Sequence, residues 1–125
     1  MKQLISVICL LLCFNLCYGQ RLKTPTLSPF SKISQQVGLT DVTLEYSRPS
    51  AKGRVVFGAL VPYNKVWRTG ANAATKITFK EVAKIGGKTI QPGEYAIYTI
   101  PDENRWTIII HSNTSLRSIA GGAYK

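Results

Sequence analysis

Glu94-Tyr95-Ala96-Ile97-Tyr98-Thr99-Ile100 sets Tyr95, Ile97 and Thr99 on one side of an extended chain and Ala96, Tyr98 and Ile100 on the other. The run is rich in β-branched and aromatic residues and holds no proline, so it reads as a strand. Pro92-Gly93 turns the chain before it, and Pro101-Asp102-Glu103-Asn104 turns it again into Trp106-Thr107-Ile108-Ile109-Ile110. Upstream, Thr75, Ile77 and Phe79 alternate with Lys76, Thr78 and Lys80, and Val82 to Ile90 reads as a hairpin around Gly86-Gly87, a dipeptide suited to positive φ. Earlier still, Ile33, Gln35 and Val37 fall on one side, Gly38-Leu39 turns the chain, and Val42, Leu44 and Tyr46 alternate with Thr43, Glu45 and Ser47. Arg48-Pro49 ends that strand, because proline has no N–H for the ladder. No segment has the length and period of a helix. The expected fold is all-β: an antiparallel β-sandwich or barrel-like domain built from short strands and tight turns.

The ends of the chain carry a different kind of signal. Met1-Lys2-Gln3 precedes an apolar run from Leu4 to Leu12, then Cys13 to Gly19, and polarity rises at Gln20-Arg21. This is the charged end, short apolar core and small-residue cleavage site of a secretory signal, too short and too early interrupted at Asn15 to span a bilayer. The expected organisation is a signal peptide over 1–19, an extended Pro-rich leader over 20–29 and one β-rich domain over 30–125, with export to the periplasm or beyond and no membrane span in the mature chain. Cys9, Cys13 and Cys17 all lie in the signal, and Leu16 before Cys17 does not suit a lipid attachment point, so the mature chain is expected to have neither disulfide nor thiol nucleophile. At the other end, Ser112 to Gly122 is polar and the sequence stops at Ala123-Tyr124-Lys125 where another strand would begin, so a C-terminally incomplete domain is expected.

The 125 residues hold 16 basic and 6 acidic side chains, a balance of +10 that becomes +9 once Lys2 leaves with the signal. The basic residues are dispersed rather than gathered in a run or on a helix, which disfavours a nucleic-acid groove and favours a positively charged surface or an anionic partner. One histidine, His111, and scattered carboxylates (Asp41, Glu45, Glu81, Glu94, Asp102, Glu103) offer no metal-ligand spacing, and no metal or cofactor is expected. No serine sits in a nucleophile elbow; His111, with Ser112 or Ser47, is the weak catalytic candidate. Asn113-Thr114-Ser115 has the form of a glycosylation sequon, a pattern frequent by chance.

The segment from Ser50 to Ala74 is the informative exception to the β pattern. It has no clear period, carries Gly53, Gly58, Gly70 and Pro62, and is still rich in apolar residues, so an ordered and functional loop is expected. Arg54 to Phe57 and Val66 to Arg68 read as short strands, and Ala59-Leu60-Val61 as a turn of helix. Here polar groups and aromatics interleave: Tyr46-Ser47-Arg48-Pro49, Lys52-Gly53-Arg54, Tyr63-Asn64-Lys65 and Trp67 to Asn72. Arginine forks grip carboxylate or phosphate with paired hydrogen bonds, asparagine bridges amide or hydroxyl groups, and a tryptophan face stacks on a sugar or a cation. Arg48, Arg54, Tyr63, Trp67, Arg68 and Asn72 are therefore the candidate ligand-binding residues. The competing reading makes them scaffolding, with Arg68 paired to Glu45 or Glu81, Trp67 and Tyr63 in the core, and Thr69 and Asn72 satisfying turn backbone.

The strings Ser31 to Gly38, Val42 to Pro49, Lys52-Gly53-Arg54, Val61-Pro62-Tyr63, Val66-Trp67-Arg68-Thr69-Gly70-Ala71-Asn72 and Pro92-Gly93-Glu94-Tyr95 closely resemble the DUF2911 family of exported proteins from Bacteroidota. The resemblance runs from Ser28 to His111, and the Trp-Arg-Thr-Gly-Ala-Asn string is its most specific part. It implies a secreted or periplasmic bacterial protein with a β-rich domain that matures to an N-terminal glutamine and continues past the equivalent of Lys125; it implies no function. Three functions stay open: a non-catalytic binding module for an anionic or carbohydrate ligand, a hydrolase using His111 or a serine with arginine stabilisation, and a structural protein pairing with an envelope component.

Overall fold

The computed structural model describes residues 22–115. The expected signal peptide with its cysteines, Gln20 and the Gly121-Gly122 tail lie outside the described residues. Within them the chain is all-β and antiparallel: β1 (Phe30–Val37), β2 (Thr40–Ser47), β3 (Thr75–Phe79), β4 (Ala83–Ile85), β5 (Lys88–Ile90), β6 (Gly93–Ile100) and β7 (Thr107–His111). Five strands form one sheet in the order β1-β2-β3-β6-β7, while β4 and β5 form the separate hairpin expected around Gly86-Gly87. The sheet does not close into a barrel, because β1 and β7 remain as its two edges.

Register turns the alternations into faces. Ile33 pairs with Leu44, Leu44 with Ile77, and Ile77 with Tyr95, so one apolar row crosses four strands. The neighbouring row on the opposite face is polar at one end: Lys32 pairs with Glu45, Glu45 with Lys76, and Lys76 with Ala96. Two ion pairs tie this row and its neighbour, Lys32 Nζ to Glu45 Oε1 at 2.6 Å and Lys76 Nζ to Glu94 Oε1 at 2.8 Å. The hydrogen bond from Lys76 holds the Glu94 carboxyl below its ordinary range.

The most completely buried residues share that second face. Ala96 is 0% and Tyr98 1% exposed, Ala74 lies with them, and Val66 and Ile109 pack against the group. Burial pushes the Tyr98 phenol up from its ordinary pKa, because the apolar surroundings disfavour the phenolate. On the first face Phe79 is buried beside the Tyr95 ring, their centroids 6.2 Å apart.

The segment between β2 and β3 departs from expectation in its local structure. Ala59-Leu60-Val61 is not a turn of helix, and Arg54 to Phe57 is not a strand; Phe57 and Val61 form an isolated parallel bridge. The loop is closed by Val61 N–H donating to Val56 O (2.8 Å) and Gly58 N–H donating to Val61 O (2.9 Å). The expected strand at Val66 to Arg68 shrinks to a single bridge, in which Trp67 and Thr99 exchange backbone hydrogen bonds of 2.7 and 2.8 Å. That bridge anchors the irregular segment to the end of β6.

Gly58 is the position where this loop most needs glycine. Its φ is +84°, and a Cβ there would come within 2.8 Å of Tyr63 Cε2. Gly58→Ala is expected to destabilise the domain by about 1–2 kcal/mol, from the left-handed backbone penalty together with displacement of the Tyr63 ring. A thermal melt would show this as a drop of roughly 4–8 °C per kcal/mol; an unchanged melt would mean that the loop opens freely.

Candidate functional site

β2 ends where Arg48 N–H donates to Pro29 O (2.9 Å), and the chain then folds back twice before entering β3. Between the end of β2 and these two passes lies an open cleft of about 830 Å³. The passes are held in unusual backbone conformations. All four non-glycine residues with positive φ among the described residues fall here: Lys52 (49°), Asn64 (55°), Thr69 (57°) and Asn72 (62°). Threonine is β-branched, so its left-handed conformation carries real strain and persists only when neighbours over-determine it. They do so at Thr69. Its hydroxyl donates to Thr99 Oγ1 (3.1 Å), while Thr75 Oγ1 donates to Thr69 O (2.6 Å) and Thr75 N–H to Arg68 O (3.2 Å). Thr75 and Thr99 are themselves buried, so Arg68 and Thr69 are fixed to the rigid sheet.

Four of the six candidate residues line the cleft: Arg48, Arg54, Trp67 and Arg68. Tyr63 and Asn72 are outside its lining. The Tyr63 ring packs beneath Gly58, and Asn72 Nδ2 donates to Ser47 Oγ (3.2 Å), tying the end of the irregular segment to the end of β2. Lys65 lines the cleft as well, and the apolar wall includes Val56, Leu60, Val61 and Val66. Lys65 is not among the six candidates; its signal in the sequence is only that of a basic residue beside Tyr63 and Asn64 in the same irregular segment.

The charge pattern is one-sided. Among the described residues, Arg48, Arg54, Lys65 and Arg68 contribute four cations to the cleft, and no carboxylate lines it. The pairing of Arg68 with Glu45 or Glu81 that the competing reading calls for is not formed; Glu45 is taken by Lys32 across the β1–β2 ladder. Arg54 is partly committed, its Nε donating to Ala51 O (2.9 Å) and its Nη2 to Ser50 O (2.8 Å). Arg68 Nε is buried without a hydrogen-bond partner, the single such side-chain nitrogen or oxygen among the described residues. A buried donor without a partner forfeits its hydration, at roughly 1–3 kcal/mol.

Trp67 belongs both to the cleft wall and to an aromatic cluster. Its ring lies 6.0 Å from Phe57 and 6.4 Å from Trp106, and Phe57 lies 4.8 Å from Trp106, all edge to face. His111, the weak catalytic candidate, is not in the cleft lining. It ends β7 opposite Ala96, and its Nδ1 accepts the Asn113 N–H (2.9 Å). Ser47 lines the cleft but is bound to Asn72 rather than to a base. Among the described residues no three His, Cys, Asp or Glu side chains group as metal ligands, and no helix is long and apolar enough to cross a membrane.

Comparison with known proteins gives one finding. A family model described as a protein of unknown function (DUF2911) matches residues 28–123; no curated protein and no solved structure matches the chain. The matched residues take in every strand of the fold and the whole cleft, and the chain belongs to the DUF2911 family.

Proposed function

We propose that this chain is a non-catalytic binding module for an anionic ligand, held in the cleft between β2 and the irregular segment and exported by its N-terminal signal peptide. The observation that carries the reading is the cluster of Arg48, Arg54, Lys65 and Arg68 around a cavity that no carboxylate lines among the described residues, with Arg68 Nε buried and unpartnered among them. Cations brought together without counter-charges repel one another and lose hydration, so the arrangement is unfavourable until an anion enters. The cavity has the volume of an ordinary small-ligand site and the mixture of apolar wall and few polar groups that such sites use.

A thermal-shift series at constant ionic strength tests this directly, since a ligand that binds the native state alone raises the melting point. Phosphate, sulfate, citrate and neutral disaccharides are the probes. At about 100 times Kd an anion should add about 2.7 kcal/mol of stability, and the shift should be lost in Arg48→Ala. Shifts with disaccharides but not with anions, or an anion shift that survives Arg48→Ala, would overturn the proposal.

A further inference from the structure

Resting on that anion-binding reading, we infer that the cleft takes a phosphoryl group with more than one negative charge, a phosphate monoester or diphosphate, joined to an apolar body. The charge argument comes first. Among the described residues the side chains of Arg48, Lys65 and Arg68 have no polar partner, and Arg54 has spent only its Nε and Nη2 donors on the backbone. A single carboxylate neutralises one of these cations and leaves the others opposed. A phosphate monoester carries roughly −1.5 to −2 at neutral pH, and its three terminal oxygens can each accept from a different cation.

The apolar wall carries the second half of the inference. Leu60, 52% exposed, and Trp67 border the same cavity as the cations, and Phe57, 39% exposed, continues that surface through its contact with Trp67. An inorganic ion fills little of about 830 Å³ and leaves this surface in water. An alkyl or aryl group on the phosphate covers it, and the cleft then gains from both ends of one ligand.

Isothermal titration with hexyl phosphate, hexyl sulfate, hexanoate and inorganic phosphate separates the parts. Hexyl phosphate is expected to bind at least about tenfold more tightly than each of the other three. Leu60→Ser, a change at an exposed position, should weaken hexyl phosphate and leave inorganic phosphate unchanged, whereas Arg68→Met should weaken both. Vesicles of phosphatidylcholine doped with phosphatidic acid then distinguish the source. Co-sedimentation displaced by hexyl phosphate identifies a lipid headgroup, and binding of hexyl phosphate without co-sedimentation identifies a soluble ester. Equal affinity for hexyl phosphate and inorganic phosphate, or for hexyl phosphate and hexanoate or hexyl sulfate, would overturn this inference and leave the anion site standing. No Arg68-dependent binding of any anion would overturn both.

Discussion

Tyr98→Ala is expected to cost about 3–5 kcal/mol, the range for removing a large aromatic from a closed core. Tyr98 is 1% exposed and forms a buried cluster with Ala96 and Ala74, with Val66 and Ile109 packed against that group. Its two buried neighbours are alanines, which cannot reach into the space it leaves. Domains of this size hold only about 5–15 kcal/mol in total, and the variant should be partly unfolded without denaturant. Equilibrium urea unfolding measures the loss, with Ile33→Ala as the contrast. Ile33 is 46% exposed on the opposite face, and its truncation should cost far less. A Tyr98→Ala cost below about 1 kcal/mol would place the organising core elsewhere.

Arg68→Met should move stability and binding in opposite directions. Methionine keeps most of the length and apolar stem of arginine but has no donor to bury, so the cost at Nε disappears, together with one of the cleft's mutually repelling charges. The ligand-free variant is expected to be about 1 kcal/mol more stable than the parent by urea unfolding. The same variant should lose at least about tenfold in affinity for an anion, because a charge-assisted hydrogen bond is gone. A scaffolding role for Arg68 predicts the reverse on the first count. Loss of stability with anion affinity unchanged would refute the functional assignment.

The β6 alternation was readable because a strand has only two faces, and the expected partition of Tyr95, Ile97 and Thr99 from Ala96, Tyr98 and Ile100 is the one the registers show. Which face holds the most buried residues was not readable, since both sides of β6 are apolar and the decision lies in what packs from distant segments. Val66 reaches the Tyr98 face only because Trp67 bridges Thr99, a contact with no local sequence signal. The segment from Ser50 to Ala74 was recognisable as an ordered loop, but its course depends on positive φ at Lys52, Asn64, Thr69 and Asn72, which residue preference does not announce for lysine or threonine. The site was legible as a neighbourhood rather than as a set. Arg48, Arg54, Trp67 and Arg68 meet in the cleft, while Tyr63 and Asn72 brace the loops around it. The competing reading, in which Arg68 pairs with Glu45 or Glu81, is not what forms, and for Glu45 the reason is set by strand register: Lys32 stands directly across from it.

The most direct test of the account is urea unfolding of the parent protein and Arg68→Met, each without and with hexyl phosphate. The account predicts a reversal of order: the variant is the more stable of the two without the ester, and the parent is the more stable with it at saturating ester, because the parent gains more binding free energy than the weaker-binding variant. If the parent is the more stable in both conditions and the ester adds equally to each, Arg68 is a structural residue and the cleft is not an anion site.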